Sequence, residues 1–390
     1  MNLKEIKELN SEYLFQNYGR MDIAFTRGKG AYLYDTEGKE YLDLVAGIAV
    51  NSIGYAHPEW VKIMQEQLSK FVHVSNLFYT AEQAELGEKL ASVSPGDLKR
   101  SLFVNSGAEA NEGAMKLAVR YTKRGKIMSA LNGFHGRTSA SLGATGQTKY
   151  QDSFEPLISN AYRYYEFGNL ESVKEMIGKD TAALLVEPIQ GEGGVVGASG
   201  DFFKGVRDLC SDNGVLLVAD EVQTGVGRTG KWFGMEHYGV VPDIMTLAKG
   251  LGGGVPIGAV VTTDEISKVM TPGTHGTTFG GNPLVSRSAC AVLDIIKKEG
   301  LVDNAAKVGK AWMKDLKAVG SEKIKDVRGS GFIIGVELDS NGTAAALQRS
   351  MLEKGMLVNI CHGCVLRLIP PLILTSKQKD AFMSAFRDII

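Results

Sequence analysis

Cysteine, excess charge of one sign and long apolar runs are all scarce in this chain. Four cysteines in 390 residues are too few for a disulfide framework, which agrees with a reducing compartment. The 43 basic and 44 acidic side chains nearly balance, so charge does not favour nucleic acid or an anionic membrane as a partner. No apolar run reaches the roughly 18 residues of a membrane span, and the first residues lack an apolar signal core. We therefore expect a cytoplasmic protein with a small-molecule ligand.

Two motifs resemble ligand sites but lack a residue that each site needs. Cys361-His-Gly-Cys364 has the spacing of half a zinc site, but the other two cysteines are isolated and supply no second pair. Residues 225–231 nearly form a nucleotide-binding P-loop, but Trp232 stands where the hydroxyl that holds magnesium is required. The sequence therefore predicts neither a metal site nor a P-loop.

Short apolar runs alternate with helical stretches between about residues 75 and 275, which predicts an α/β fold with a mostly parallel sheet. Before them, residues 32–43 predict a hairpin, and after Asn282-Pro283 a helix, short strands and a final helix predict a smaller α+β domain. The predicted strands are 102–105, 126–131, 183–187, 215–219, 244–247, 258–261, 332–338 and 365–369. The predicted helices include 108–124 and 201–213.

Lys249 closes an apolar run, Ile244-Met-Thr-Leu-Ala, and precedes the glycine-rich turn Gly250-Leu-Gly-Gly-Gly254. An apolar strand end lowers the cost of deprotonating a lysine, and a neutral amine is what attacks the carbonyl of pyridoxal phosphate or of a substrate. A solvated surface lysine is the alternative interpretation. The context of Asp220 favours the reactive amine over the surface lysine.

Asp220 ends a second apolar run, Val215-Leu-Leu-Val-Ala, 29 residues before Lys249. Such a run predicts a buried parallel strand whose carboxylate lies at the carboxyl edge of the sheet, where open α/β folds bind ligands. A carboxylate there needs a cation, and a protonated pyridine nitrogen would supply one. A capping aspartate is the alternative, but it leaves the pairing with Lys249 unexplained.

Two further strand ends carry residues suited to a phosphorylated, planar ligand. Ser106 and Glu109 have the spacing of a capping box at a helix start, and Gly107 between them allows close approach to a phosphate. Phe134 and Arg137 follow another strand and offer an aromatic face and a guanidinium fork. A capped helix without a ligand, a core phenylalanine and a solvated arginine are the alternatives.

In their order along the chain, these residues resemble the class III aminotransferases of fold type I, which depend on pyridoxal 5'-phosphate (PLP). The resemblance extends over nearly the whole chain and implies a large PLP-binding domain, 75–281, with a mostly parallel seven-stranded sheet flanked by helices. It also implies a small α+β domain built from 1–74 and 282–390, and a homodimer. The motifs that carry it are Ser106-Gly-Ala-Glu-Ala-Asn111, Phe134-His-Gly-Arg-Thr138, Glu187-Pro-Ile-Gln-Gly-Glu192, Asp220-Glu-Val-Gln223, Lys249 and His275-Gly-Thr-Thr-Phe-Gly-Gly-Asn-Pro283.

The resemblance implies a role for each residue of the site. Lys249 would bond to the cofactor and carry the substrate proton, and Asp220 would hold the pyridine nitrogen. Glu192 would cover Arg367, the arginine for the α-carboxylate of glutamate, while a basic donor is bound. The other implied contacts are those of Ser106, Gly107 and Ala108 with the phosphate, Phe134 and Gln223 with the ring, Thr278 with the phosphate of a neighbouring subunit, and Arg137 and Thr277 with the substrate.

Three positions depart from the family pattern. The family commonly has histidine where this chain has Tyr55, and a hydroxyl residue where it has Ala108. The segment Cys361-His-Gly-Cys364 before Arg367 is also unfamiliar. These departures bear on fine specificity rather than on the chemistry.

The implied reaction moves the δ-amino group of N-acetylornithine to 2-oxoglutarate and gives N-acetylglutamate 5-semialdehyde and glutamate, a step of arginine biosynthesis. Ornithine, succinylornithine, 4-aminobutyrate or another ω-amine are alternative donors, because all need the same lysine, aspartate and phosphate seat. An aminomutase or racemase on this scaffold would need no keto acid acceptor. A non-enzymatic binding protein would leave the Lys249–Asp220 arrangement unexplained.

Overall fold

The computed structural model describes residues 1–390 and contains four β-sheets. Its strands, in chain order, are β1 (Phe25–Lys29), β2 (Tyr32–Asp35), β3 (Glu40–Asp43), β4 (Arg100–Val104), β5 (Lys126–Ala130), β6 (Tyr162–Tyr165), β7 (Thr181–Val186), β8 (Ile189–Gln190), β9 (Val196–Gly197), β10 (Leu216–Asp220), β11 (Ile244–Leu247), β12 (Gly258–Thr262), β13 (Ile324–Ser330), β14 (Ile333–Leu338), β15 (Met356–Leu357), β16 (Asn359–Cys361) and β17 (Val365–Leu368).

The α-helices are α1 (Leu3–Tyr13), α2 (Ala46–Ala49), α3 (Pro58–Leu68), α4 (Ala81–Val93), α5 (Gly107–Thr122), α6 (Ser139–Ala144), α7 (Thr148–Gln151), α8 (Leu170–Met176), α9 (Gly200–Asn213), α10 (Asp264–Ser267), α11 (Pro283–Lys298), α12 (Leu301–Lys317), α13 (Asn341–Glu353) and α14 (Ser376–Ile389). Short 3-10 helices cover Glu155–Leu157, Gly234–Tyr238 and Lys249–Leu251. None of the helices combines the length and the apolar character that crossing a membrane requires.

The central sheet has seven strands in the order β4-β12-β11-β10-β7-β5-β6. Only β12 runs antiparallel to its two neighbours, so the other six strands point the same way. Strands β7 and β10 are buried along their whole length, as expected for a sheet covered on both faces. The predicted α/β fold with a mostly parallel sheet is confirmed.

Three smaller sheets flank the central one. The predicted hairpin at 32–43 is formed by β2 and β3, and β15 from the C-terminal part of the chain pairs in parallel with β3. A second sheet has the order β13-β14-β17-β16, and β8 pairs with β9 in a short hairpin. The N-terminal and C-terminal parts of the chain therefore share a sheet. The expected domain boundaries near residues 74 and 281 stay predictions.

The sheet brings the carboxyl ends of its parallel strands to one edge. Strand β10 ends at Asp220, and Lys249 follows β11 after one residue. Helix α5 begins directly after β4, with Ser106 as its N-cap, and the loop with Phe134 follows β5. Four separate chain segments thus deliver their polar residues to the same place.

Candidate active site

A cavity of about 410 Å³ lies at this edge of the sheet. Its volume falls within the roughly 300–1,000 Å³ range of small-molecule and cofactor sites. Eight of the predicted site residues line it: Ser106, Gly107, Ala108, Phe134, Arg137, Asp220, Gln223 and Lys249. Other parts of its wall come from Asn111, His135, Glu187 and the glycine-rich turn after Lys249.

Lys249 is half-buried in the cavity wall and has a φ of +35°, a conformation that non-glycine residues rarely adopt. Withdrawal of the ammonium from solvent lowers the pKa of Lys249, and the nearby charge of Arg367 lowers it further, while Glu192 opposes the shift. A lysine with a lowered pKa supplies more of the neutral amine, which is the nucleophilic form.

Asp220 is buried, and each of its carboxylate oxygens is held by the protein. Oδ2 accepts hydrogen bonds from Asn111 Nδ2 and His135 Nδ1, both at 2.7 Å, and Oδ1 accepts one from the amide of Val222 at 3.0 Å. Asn111 is itself fixed, because its Oδ1 accepts a hydrogen bond from Thr246 Oγ1. The carboxylate therefore faces the cavity in one orientation.

His135 and Glu187 are two further buried ionisable residues near Asp220. Burial disfavours the charged ring, but the hydrogen bond and the charge of Asp220 outweigh burial and raise the pKa of His135. Glu187 follows β7 and accepts a hydrogen bond from the amide of Phe134 at 3.0 Å. Burial raises the pKa of Glu187 to about 7, and the charge of Asp220 acts in the same direction.

The start of α5 provides backbone donors at the cavity. Ser106 Oγ accepts a hydrogen bond from the Glu109 amide, which caps the helix. Only half of the predicted capping box forms, because Glu109 Oε2 accepts from the amide of Asn105 at 2.7 Å instead of from that of Ser106. The amides of Gly107 and Ala108 precede the first intrahelical hydrogen bond and are free to bind an anion.

Phe134 and Arg137 lie together at the mouth of the cavity. The Phe134 ring packs edge-on against Tyr150, with ring centroids 5.6 Å apart. The exposed guanidinium of Arg137 lies 4.4 Å from the centroid of the Tyr150 ring and 5.8 Å from that of Phe134. Stacking on an aromatic side chain holds the arginine near the opening without occupying its donors.

Arg367 and Glu192 form an ion pair behind the cavity wall. Arg367 is fully buried on β17, and its Nη1 donates to Glu192 Oε1 at 2.6 Å and to Gln223 Oε1 at 3.1 Å. The opposite side of the guanidinium donates to Asn359 Oδ1 at 2.7 and 3.1 Å. Burial disfavours the charge of Glu192, but Arg367 outweighs burial and lowers the pKa of Glu192. Gln223 therefore connects this pair to the cavity.

Thr277 and Thr278 do not line the cavity of the single chain. Thr277 Oγ1 accepts a hydrogen bond from Asn105 Nδ2 at 3.0 Å, which places it beside the start of α5. Thr278 is exposed. This placement leaves Thr278 accessible to a second protein molecule.

The three departures from the family pattern lie outside the cavity or act through the backbone. The Tyr55 hydroxyl donates to Asp43 Oδ2 at 2.5 Å, which is a contact within the N-terminal part of the fold. Ala108 contributes its amide at the start of α5. Cys361 and Cys364 flank the turn between β16 and β17, and both thiols are free.

Sequence reasoning missed Asn111, His135, Glu187 and Thr246 as members of the site. The first three stand inside the motifs Ser106–Asn111, Phe134–Thr138 and Glu187–Glu192, so their positions were visible. The contacts of Asn111 and His135 with Asp220, and of Glu187 with the Phe134 amide, were not. Thr246 on β11 donates to Asn111 on α5 and carries no signal in the sequence beyond a polar residue in an apolar strand.

Comparison with known proteins identifies the family and the fold. The family model for aminotransferase class-III matches residues 13–390. An acetylornithine aminotransferase of Methanocaldococcus jannaschii is 47% identical, over 98% of this chain and 97% of its own length. The crystal structure of ornithine aminotransferase from Toxoplasma gondii superposes with a TM-score of 0.95 at 31% identity, covering 100% of this chain and 94% of that one. The acetylornithine aminotransferase structure from Elizabethkingia anophelis gives 0.89 at 33% identity, with 100% and 98% coverage.

The match over nearly the whole length, the fold and the lysine–aspartate arrangement at the sheet edge lead to one assignment. This chain belongs to the class-III aminotransferases and is a transaminase.

Proposed function

We propose that this transaminase uses PLP to move the δ-amino group of N-acetylornithine to 2-oxoglutarate, giving N-acetylglutamate 5-semialdehyde and glutamate. The observation that carries the proposal is the Glu192–Arg367 pair, 2.6 Å apart, beside the cavity that holds Lys249. An enzyme with two unlike substrates needs an arginine that is masked for one and exposed for the other. The names of the relatives from M. jannaschii and E. anophelis support N-acetylornithine as the donor.

The residues of the cavity fit PLP in three respects. Asp220 is a buried acceptor suited to a protonated pyridine nitrogen, and the amides of Gly107 and Ala108, with the Ser106 side chain beside them, suit a phosphate. Lys249 supplies a buried amine with a lowered pKa. When bound, PLP supplies an aldehyde that condenses with amines and a ring that withdraws electrons from the substrate carbon.

Each protein group then has a defined task. Lys249 Nζ would be the amine that holds the cofactor, and as a free amine it would move the proton to and from the substrate carbon. Asp220 would accept a hydrogen bond from the protonated ring nitrogen of PLP, and Gln223 and Phe134, which also line the cavity, would hold the ring. His135 and Asn111 keep the Asp220 carboxylate aimed at the cavity.

Substrate selection falls to the arginines. Arg137 at the mouth, together with Thr277, would bind the α-carboxylate of N-acetylornithine, and the reacting amine would then lie deeper in the cavity. When glutamate binds, its α-carboxylate would replace Glu192 on Arg367, exchanging one ion pair for another at little net cost. Both substrates would then place their reacting amine at Lys249.

The surface near Thr278 supports a homodimer with shared sites. Leu77, Phe78 and Tyr79 are exposed, and so is Phe279 next to Thr278. Asn76 Nδ2 donates to the carbonyls of Thr277 and Gly280, so both segments form one apolar surface. A second copy would bury this surface and bring its Thr278 to the phosphate of the neighbouring site. The four cysteines are free, which suits a reducing compartment such as the cytoplasm.

Mixing two inactive variants tests the shared site. In a mixed dimer of Lys249→Ala and Thr278→Ala subunits, the two lesions fall in the same site if Thr278 crosses the interface, and the other site is intact. Activity should therefore return on subunit exchange. Absence of recovery, with exchange verified by mass spectrometry of differently labelled subunits, would contradict sharing.

A donor panel with 2-oxoglutarate tests the reaction itself. We expect kcat/KM for N-acetylornithine to exceed that for ornithine, succinylornithine and 4-aminobutyrate. A preference for ornithine would transfer the assignment to the activity named for the T. gondii relative. Turnover without any keto acid acceptor would point to an aminomutase or racemase instead.

A further inference from the structure

The turn that carries Glu192 has a strained backbone. It connects β8 to β9 through residues 191–195, and two consecutive residues adopt positive φ angles, +101° at Gly194 and +56° at Val195. The left-handed region is unfavourable for a β-branched residue, so contacts from outside must maintain this conformation.

One row of residues across the C-terminal sheet supplies these contacts. Arg328 on β13 is paired with Gly335 on β14, Gly335 with Arg367 on β17, and Arg367 with Asn359 on β16. Directly paired residues of neighbouring strands present their side chains on the same face of a sheet. The arginine that binds Glu192 therefore lies two strands from Arg328 on one face.

Gly335 makes room for the turn. A Cβ atom at Gly335 would lie 2.8 Å from the Cβ atom of Val195, which is closer than such atoms come in proteins. Val195 is fully buried against this part of the sheet, within an apolar cluster that includes Ile333 and Val365. Val195 thus anchors the turn against Gly335, which lies between Arg328 and Arg367 in the row.

The side chain of Arg328 binds the backbone of the turn. Its Nε and Nη2 atoms donate to the Gly194 carbonyl oxygen at 3.0 and 2.7 Å. Its Nη1 atom bonds to Glu337 at 2.5 Å and to Asp326 at 3.0 Å, and these carboxylates fix the plane of the guanidinium. Four of the five N–H donors of the guanidinium are used, so the orientation of the side chain is fixed.

A second cavity of about 390 Å³ borders the turn on the side of Arg328. It is lined in part by Gly193, His362 and Cys364, so the segment that departs from the family pattern forms one of its walls. The turn therefore has space to shift once the bonds to Gly194 are lost.

We propose that Arg328 is a positioning residue for the Glu192–Arg367 pair: by holding the Gly194 carbonyl, it keeps Glu192 where its carboxylate returns to Arg367 whenever no substrate carboxylate is bound. Arg328 itself touches neither substrate nor cofactor. The inference rests on the proposed function for the identity of the two substrates. The hydrogen bonds that carry it are independent of that identity.

The test compares Arg328→Met with the matched control Arg163→Met. Arg163 also bonds to a carboxylate through two nitrogens, at Asp180, but makes no contact with the turn. The measured quantity is the ratio of single-turnover rates with glutamate and with an ω-amine donor. We expect Arg328→Met to shift this ratio about tenfold toward glutamate, since charge-assisted hydrogen bonds to the carbonyl are lost. The control should leave the ratio unchanged.

A double variant separates positioning from general damage. In a Glu192→Ala background, Arg328→Met should change the ratio less than about twofold, because its effect passes through the missing carboxylate. An equal shift in both backgrounds, or an unchanged ratio for Arg328→Met alone, would overturn the proposal. If Arg328→Met does not fold, Arg328→Lys keeps the charge on a single donor nitrogen and should shift the ratio in the same direction by a smaller factor.

Hydrogen–deuterium exchange of the cofactor-free protein gives a readout that does not depend on the donor. The peptide spanning residues 189–197 should exchange faster in Arg328→Met than in the wild type or in Arg163→Met. An unchanged exchange rate for this peptide in Arg328→Met would overturn the proposal. If N-acetylornithine proves not to be a donor, the proposed function fails while this measurement still decides the role of Arg328.

Discussion

His135 Nδ1 lies 2.7 Å from Asp220 Oδ2, and both side chains are almost completely buried. The attraction between two such groups is strongest while both are charged, so the pair couples the charge state of the cavity to the stability of the folded protein. The same contact keeps the Asp220 carboxylate aimed at the cavity.

The first prediction concerns the pH dependence of this pair. Because the folded-state pKa of His135 is raised, its contribution to the free energy of unfolding is full below the unfolded pKa of about 6.5 and is lost as pH rises through the higher folded pKa. His135→Gln should therefore destabilise the cofactor-free protein by about 1–3 kcal/mol at pH 6 and by less at pH 9. Urea unfolding at both pH values, with His73→Gln as the control, measures this. An equal loss at both pH values would contradict the charged pair.

The second prediction concerns Glu187, whose pKa is raised to about 7 by burial. The folded protein keeps this proton at pH values where the unfolded chain has lost it, so stability from this group is present below about pH 4.5 and is lost as pH rises toward 7. Glu187→Gln keeps an acceptor for the Phe134 amide and removes the charge. Relative to wild type, the variant should gain roughly 3 kcal/mol of stability between pH 4.5 and pH 8. A pH-independent difference in urea unfolding would refute this.

Some site residues are indicated by the stretch of sequence around them, and these could be predicted. Others belong to the site only because of the residue that they contact in the folded protein. Asp220 and Lys249 end apolar strands, and the carboxyl edge of a parallel sheet brings such ends together, so both could be assigned. His135 and Asn111 meet Asp220 only through tertiary packing, from positions 85 and 109 residues away. No local pattern records such contacts.

The fold shows the same division. Strand β11 occupies the predicted residues 244–247, because an apolar run with clear ends marks a buried strand. The antiparallel direction of β12 was not predictable, since buried parallel and antiparallel strands have the same apolar pattern. Strand β6, with the sequence Tyr-Arg-Tyr-Tyr, lies at the edge of the sheet and lacks an apolar run altogether.

The third prediction concerns Lys249. Lys249→Ala should still bind PLP through Asp220 and the start of α5 but should no longer attach it covalently. Treatment with borohydride followed by denaturation should leave cofactor on the wild-type chain and none on the variant, and turnover should be abolished. Lys231→Ala, which alters a lysine outside the cavity lining, serves as the control. Retained covalent cofactor or full turnover in Lys249→Ala would exclude Lys249 as the attachment site.

The fourth prediction concerns the charge of Asp220. Asp220→Asn preserves the shape of the side chain, so cofactor should remain bound, but a neutral amide cannot keep the ring nitrogen protonated. We expect removal of the substrate proton to slow by several orders of magnitude. The kinetic isotope effect with donor deuterated at the reacting carbon should rise accordingly. An unchanged kcat would assign Asp220 a structural role only.

The central claim is that one pocket serves two unlike substrates because Glu192 masks and releases Arg367. The ratio of the two single-turnover rates in Glu192→Ala, with glutamate and with N-acetylornithine, tests it most directly. With Arg367 permanently free, the glutamate half-reaction should become faster or glutamate should bind more tightly. The N-acetylornithine half-reaction should become slower, since that donor could then bind in the wrong orientation. Arg367→Ala should damage the glutamate half most. If Glu192→Ala slows both half-reactions by the same factor, Glu192 is a structural support and the account of dual specificity is wrong.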